Sequence, residues 1–257
     1  MSAAARYIAD RITDQDALTK ARIHPMNVLL AQRTYSAGQS FRGSNTWSPV
    51  PRITDALDEA FYKAFGNVEP AGKRTMLALD VSGSMSFSAI NDMPITPREA
   101  SAALALVQMA TEPDVMTVGF TGDRDPYSGY RSQLGSKAVT PLNISPRQRL
   151  DDVIDHVSGL PFGPTDCAAP MQYALANNIA VDTFVVYTDN ETWAGHTHPH
   201  QALEEYRQKT GINAKLIVVG MTATDATIAD PNDPGMLDIA GFDAGVPNLI
   251  TEFSKGL

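Results

Sequence analysis

Apolar and polar positions divide this chain into a helical beginning and a longer stretch where strand and helix patterns alternate. Thr75-Met76-Leu77-Ala78-Leu79-Asp80-Val81 is an almost unbroken apolar run, as expected of a strand buried on both faces. Residues 114–120, 183–187 and 215–219 repeat that character. Between them the apolar spacing turns helical. Thr96-Pro97-Arg98-Glu99 reads as a capping box with proline at the first helical position, opening a helix through Ala103, Leu104, Val107 and Met109. Ser145-Pro146 opens another, with Leu150, Val153, Ile154 and Val157 on one face. Residues 199–209 and 247–255 complete the helical set, and a further apolar helix follows Gly163-Pro164-Thr165-Asp166. Strands separated by helices require crossovers. The predicted fold is therefore a doubly wound α/β domain, Rossmann-like, with a mainly parallel sheet flanked by helices.

The first seventy residues read differently. Asp14 and its neighbours offer caps for a short helix ending near Lys20 and Arg22, and His24-Pro25 starts a second that Gly38 stops. Ile53, Leu57, Ala60, Phe61, Ala64 and Phe65 form the stripe of a third, from Pro51 to Phe65, closed by Gly66. Three short helices bury too little surface to fold alone, so this α-helical extension is expected to dock on the rest of the chain. The expected organisation is an extension over residues 1–70 and an α/β domain over 71–257.

Composition sharpens this picture only where it is uneven. The 257 residues carry 29 acidic and 20 basic side chains, a net charge of −9. That total argues against a generic nucleic-acid binder, whose footprint is a basic face. Yet residues 1–79 hold 10 Lys and Arg against 7 Asp and Glu, whereas residues 80–257 hold 10 against 22. The single cysteine, Cys167, excludes an internal disulfide and a cysteine-built zinc site, and suits a reducing cytoplasm. No apolar run reaches membrane-spanning length, and the N-terminus lacks the apolar core of a secretory signal.

Doubly wound folds bind ligands beyond the carboxyl ends of their strands. There the first strand runs into Asp80-Val81-Ser82-Gly83-Ser84, where alternate side chains project to one side. The turn carrying Thr165 and the strand end Thr188-Asp189-Asn190 fall beside it. Asp80, Ser82, Ser84, Thr165 and Asp189 offer only oxygen, a donor set suited to a hard divalent cation, foremost Mg²⁺, with Ca²⁺ or Mn²⁺ as alternatives. Two carboxylates leave such an ion a strong Lewis acid, open to a carboxylate or phosphate from outside. The bland reading of Asp-x-Ser-x-Ser is a turn whose side chains bond the local backbone.

Asp80-Val81-Ser82-Gly83-Ser84-Met85 with Thr165 and Asp189 resembles the metal-ion-dependent adhesion site of von Willebrand factor A domains. A second resemblance spans almost the whole chain. Lys20-Ala21-Arg22-Ile23-His24-Pro25, Ala60-Phe61-Tyr62-Lys63-Ala64-Phe65, Thr188-Asp189-Asn190-Glu191-Thr192, Gly220-Met221-Thr222 and Gly235-Met236-Leu237-Asp238 are similar to segments of the Ro ribonucleoprotein autoantigen (TROVE) family. That resemblance implies a ring of helical repeats closed by an A domain, with small noncoding RNA and the single-stranded ends of misfolded RNA as partners. Residues 1–70 would correspond to the last ring helices, with most of the ring missing. Lys20, Arg22, Arg33 and Arg42 are then the basic side chains expected to meet RNA. A protein partner would supply a carboxylate to the metal site. The expectation is a non-enzymatic binding module in RNA quality control. The competitors are a protein-binding A domain with no RNA role and a metal-dependent phosphohydrolase.

Other signals point elsewhere and weaken on inspection. Gly66 and Gly72 are one residue too far apart for a Walker A loop, and Arg74 stands where Ser or Thr is required. A haloacid-dehalogenase-like phosphatase needs an Asp at the position of Ser82. His196, His198 and His200 alternate as a metal site might, yet they precede a proline-led helix, where an exposed cap is the ordinary outcome. Cys167 has no histidine at a spacing that implies pairing. Arg124, Tyr127, Tyr130 and Arg131 mix basic and aromatic character, but Asp123 and Asp125 dilute the charge.

Overall fold

The computed structural model describes residues 2–87, 89–90, 93–121, 135–160, 165–189, 197–222, 228–243 and 245–256. Strands β1 (Thr75–Asp80), β2 (Val115–Phe120), β3 (Val139–Pro141), β4 (Thr183–Thr188), β5 (Lys215–Gly220) and β6 (Met236–Ala240) form one sheet in the order β3-β2-β1-β4-β5-β6. Every pairing is parallel except β2 with β3. The doubly wound, mainly parallel sheet read from the sequence is therefore present.

Alternation along each central strand explains why β1 reads as continuously apolar. Leu77 and Leu79 of β1, Val185 and Tyr187 of β4, and Ile217 and Val219 of β5 enter one core. Their neighbours Met76, Ala78, Phe184, Val186, Leu216 and Val218 enter the other. Helices α5 (Pro97–Thr111), α6 (Leu150–Ser158) and α9 (Val246–Lys255) cover the first face. Helices α7 (Ala169–Ala176) and α8 (Pro199–Thr210) cover the second. The Thr96–Glu99 capping box forms as predicted, with both reciprocal bonds made.

The extension comprises α1 (Ala3–Ile12), α2 (Gln15–Lys20), α3 (Pro25–Ser36) and α4 (Pro51–Lys63), with a 3-10 turn at Ala64–Asn67. It docks on the first face: Met26, Leu29, Phe61 and Phe65 belong to the same apolar core as the sheet and α5. Ion pairs reinforce the contact. Arg33 reaches Glu99 at 3.2 Å and Asp151 at 3.1 Å, Arg149 pairs with Asp58, and the Tyr62 hydroxyl accepts from the Leu150 amide at 2.8 Å.

Four details differ from the sequence reading. Helix α1 was not anticipated, because only the small residues Ala5 and Ala9 are buried, leaving no apolar stripe; Ser2 caps it by accepting from the Ala5 amide at 3.1 Å. Strands β3 and β6 are short or half-exposed edge elements that carry little pattern. Ser145-Pro146 does not open α6. Ser145 instead anchors a turn with Gln148, and the helix begins at Leu150. Finally, Arg74 pairs with Asp182 at the base of the sheet, so it does not contribute to a basic extension. Residues 1–70 hold 8 basic against 7 acidic side chains, close to neutral.

Candidate metal centre

The strand order reverses between β1 and β4, and the crevice beyond their carboxyl ends is where this architecture places ligands. Asp80 ends β1 and is fully buried there. Its Oδ1 accepts from the Ser82 amide at 2.7 Å, which sets the loop that follows. Its Oδ2 accepts from the hydroxyls of Thr165 at 3.0 Å and Thr188 at 2.7 Å. Ser82 and Ser84 share a hydrogen bond of 3.0 Å between their hydroxyl oxygens. Ser82 is buried, whereas Ser84 opens to solvent. Asp189 follows β4, and its charge acts on both Asp80 and Arg98. Its backbone carbonyl accepts from the Thr222 hydroxyl.

The five predicted oxygen donors come from the segments after β1 and β4 and, for Thr165, from the connection between α6 and α7, where its hydroxyl reaches Asp80. Their chemistry fits a hard divalent cation: two carboxylates, three hydroxyls, no sulfur and no imidazole. One further observation points the same way. Asp189 Oδ1 is buried with no hydrogen-bond partner, an oxygen left available in a site otherwise saturated with local bonds. Among the described residues no three His, Cys, Asp or Glu side chains cluster, so the centre is hydroxyl-rich rather than a multi-carboxylate or imidazole cage.

Burial governs the electrostatics. It pushes the Asp80 carboxyl above the usual range, opposed by the Ser82 amide and the threonine hydroxyl. It also raises the Cys167 thiol well above its ordinary value, which leaves that residue inert as a nucleophile. Asp166 turns its Oδ1 onto the Ala168 amide at 3.1 Å.

Two participants escaped the sequence reading. Thr188 was legible only as the neighbour of Asp189, although strand alternation sends adjacent side chains opposite ways and so lets it reach Asp80. Arg98 was visible only as part of a capping box; a charge in helical register with the buried Ala102 and Ala105 was the unused signal.

Of the residues expected to meet RNA, Lys20, Arg22 and Arg42 are exposed, and Arg42 lies 5.3 Å from the centroid of the Phe41 ring. Arg33 is half-buried and committed to Glu99 and Asp151. His198 caps α8, its Nδ1 accepting from the His200 amide at 3.4 Å; His196 lies outside the described residues, as do Arg124, Tyr127, Tyr130 and Arg131. No helix of the described residues is long and apolar enough to cross a membrane.

Comparison with known proteins places this geometry among relatives. The family model described as the Ro60 vWA domain matches residues 74–254. The chain is 48% identical over 256 residues to "RNA-binding protein RO60" of Deinococcus radiodurans, covering 99% of this chain and 45% of that protein. It is 44% identical over 250 residues to "RNA-binding protein RO60" of Caenorhabditis elegans, covering 97% and 36%. The crystal structure of the Deinococcus radiodurans RO (RSR) protein superposes with a TM-score of 0.89 over 99% of this chain and 49% of that one. The chain therefore spans less than half the length of the curated relatives it matches.

Proposed function

The chain belongs to the Ro60 vWA domain family, and from that premise we propose that it is a non-enzymatic binding module of an RNA-handling protein. In this reading the A domain holds a divalent cation, Mg²⁺ by donor type, through Asp80, Ser82, Ser84, Thr165 and Asp189. The bound ion supplies an electrophilic position for an acidic group from a protein partner. The chain's own part is to preorganise the donors. Asp80 fixes the loop through the Ser82 amide and orients the hydroxyls of Thr165 and Thr188, while exposed Ser84 leaves the outward side open. The observation that carries the reading is the unpartnered, buried Oδ1 of Asp189 beside this hydroxyl cluster.

The test is calorimetric titration of the purified chain with MgCl₂ and MnCl₂. Saturable binding is expected, lost in Asp189→Asn and weakened in Thr165→Val. Equal heats for all three proteins would remove the metal centre.

The RNA-facing role rests on the names of the two relatives and on exposed Lys20, Arg22 and Arg42. Small noncoding or misfolded RNA with single-stranded ends is the expected class, in a reducing, cytoplasmic setting consistent with the lone buried thiol of Cys167. Because the extension is nearly neutral, affinity from this chain alone should be weak and steeply salt-dependent. Filter binding of a tailed, structured RNA across a salt series should weaken several-fold in a Lys20→Glu, Arg22→Glu, Arg42→Glu triple variant. If binding is undetectable in the parent chain at low salt while the cation titration succeeds, the second reading prevails: a protein-binding A domain whose RNA contacts lie elsewhere in longer relatives. The pairing of Arg33 with Glu99 and Asp151 favours that outcome.

A further inference from the structure

Arg98 is 3% exposed and sits directly behind the Asp80–Ser86 loop, on the first turn of α5. Its Nε donates to Ser86 Oγ at 2.7 Å. One Nη donates to the Ser82 carbonyl at 2.7 Å and the Val81 carbonyl at 3.3 Å, and the other reaches the Val157 carbonyl at 3.5 Å. Every one of these acceptors is neutral. A buried guanidinium without a directly bonded carboxylate is expensive, and burial lowers its hold on the proton. The charges that support it are Asp80 and Asp189, the two carboxylates of the candidate metal centre.

We propose, resting on the cation-binding reading above, that Arg98 is a positioning and charge-setting residue of that centre. Its planar fork grips the loop from behind at Val81, Ser82 and Ser86, a span a lysine ammonium cannot cover. Its charge offsets one of the two carboxylates. Asp80, Asp189 and Arg98 together carry one net negative charge, which a divalent ion converts to one net positive charge. Without Arg98 the loaded centre would be neutral. Arg98 therefore lowers the resting affinity for the cation and keeps the loaded centre attractive to an anion. The resting and engaged states become coupled: an acidic ligand tightens the metal, and the metal recruits the acid.

The experiment measures Mn²⁺ binding by the electron paramagnetic resonance signal of free Mn²⁺, at constant ionic strength, with and without acetate as a probe carboxylate. Arg98→Gln and Arg98→Lys both lose the fork, and only the second keeps the charge. Mn²⁺ affinity about tenfold tighter in Arg98→Gln than in Arg98→Lys is expected from a unit charge acting across several ångströms of protein. Equal affinities overturn the charge role. Acetate should tighten Mn²⁺ in the parent chain and in Arg98→Lys but not in Arg98→Gln. No acetate effect in the parent chain overturns the coupling even where Arg98→Gln does not fold. Ser86→Ala removes one anchor without touching charge and should weaken Mn²⁺ about threefold while preserving the acetate effect; unchanged affinity there overturns the positioning role. Absence of any Asp189-dependent Mn²⁺ binding in the parent chain is a separate result, which defeats the metal centre itself.

Discussion

The carboxyl edge of the sheet and the helical extension handle polar groups in opposite ways. At the sheet edge, Asp80, Ser82, Thr165, Thr188 and Arg98 are buried and bonded to one another or to the loop backbone. In the extension, charges stand on the surface, as in the pairs Arg11–Asp14 and Arg52–Asp10. There an apolar groove of about 790 Å³, lined by Ile12, Leu18, Ile23, Val28 and Leu57, opens between the helices. Burial makes each polar group at the edge costly to disturb and strongly coupled to its neighbours. Exposure makes such surface charges nearly independent of the rest. The edge is built for geometry, the extension for surface.

The comparison breaks most readily if the two regions are separable. They share one apolar core, so a single cooperative unfolding transition is expected. Phe61 is 2% exposed and packs edge-on against Phe65 at 5.1 Å between ring centroids. Phe61→Ala should cost about 3–5 kcal/mol, as large-to-small aromatic changes in cores do. In a Trp193→Phe background, where Trp47 of the extension is the one tryptophan left, denaturant melts followed by circular dichroism and by fluorescence should shift together. Two separated transitions would show that the extension folds on its own terms.

A smaller effect of unusual sign is expected at the sheet edge. Burial holds the Asp80 carboxyl in conflict with its charge, so Asp80→Asn should stabilise the metal-free chain by about 1 kcal/mol. The threonine hydroxyls can turn to accept from the new amide, but their own hydrogens then lose Asp80 Oδ2 as acceptor, which keeps the gain small. The same variant should lose the rise in Tm that MgCl₂ gives the parent chain. Destabilisation by Asp80→Asn would mean that the carboxylate's hydrogen bonds outweigh its desolvation, and that the edge is structural first.

These contrasts bear on what could be read from residues alone. The central strands were legible because burial on both faces leaves an unbroken apolar run, and the capping box of α5 because its chemistry is local. The placement of Asp80, Ser82, Ser84 and Asp189 at one edge was legible because strand ends in this fold have a known destination, whereas Thr165 arrives there on the α6–α7 connection. Helix α1 and the edge strands β3 and β6 were not, since small residues and half-exposed edges leave no period. Thr188 and Arg98 were hidden for another reason. Their roles depend on which distant segment lies opposite, and Ser86, Val81 and Asp80 meet them only through the fold.

Between the two regions lies Arg33, on the extension, reaching Glu99 and Asp151 on the domain. Its side chain and that of Glu99 are 22% and 23% exposed, sheltered enough to matter more than a surface pair. Arg33→Met, which keeps the aliphatic stem, should cost about 1 kcal/mol. The loss should shrink in high salt only partly, whereas an exposed pair such as Arg52–Asp10 should show no measurable loss at all. Equal, negligible effects at both sites would erase the distinction between docking contacts and surface decoration.

The smallest expected effect belongs to pH. His24 caps α3, its Nδ1 accepting from the Met26 amide at 3.1 Å, while its Nε2 is buried without a partner. Burial lowers its pKa below the ordinary value of 6.5. The unfolded chain therefore takes up the proton first as pH falls, and folding stability declines from about pH 6.5 downward until the folded-state pKa is passed. Protonation would also remove the lone pair that caps the helix. Asparagine caps as well as any residue and does not titrate, so His24→Asn should flatten the dependence of Tm between pH 7 and 5. The difference between the two profiles should reach no more than about 1 kcal/mol, the scale of a single pKa shift. Because His24 lies in the extension and shares its core with the domain, the flattening should appear in the one global transition. Its confinement to the local exchange of α3 amides would mean that this turn opens separately, and that the extension is anchored chiefly through α4.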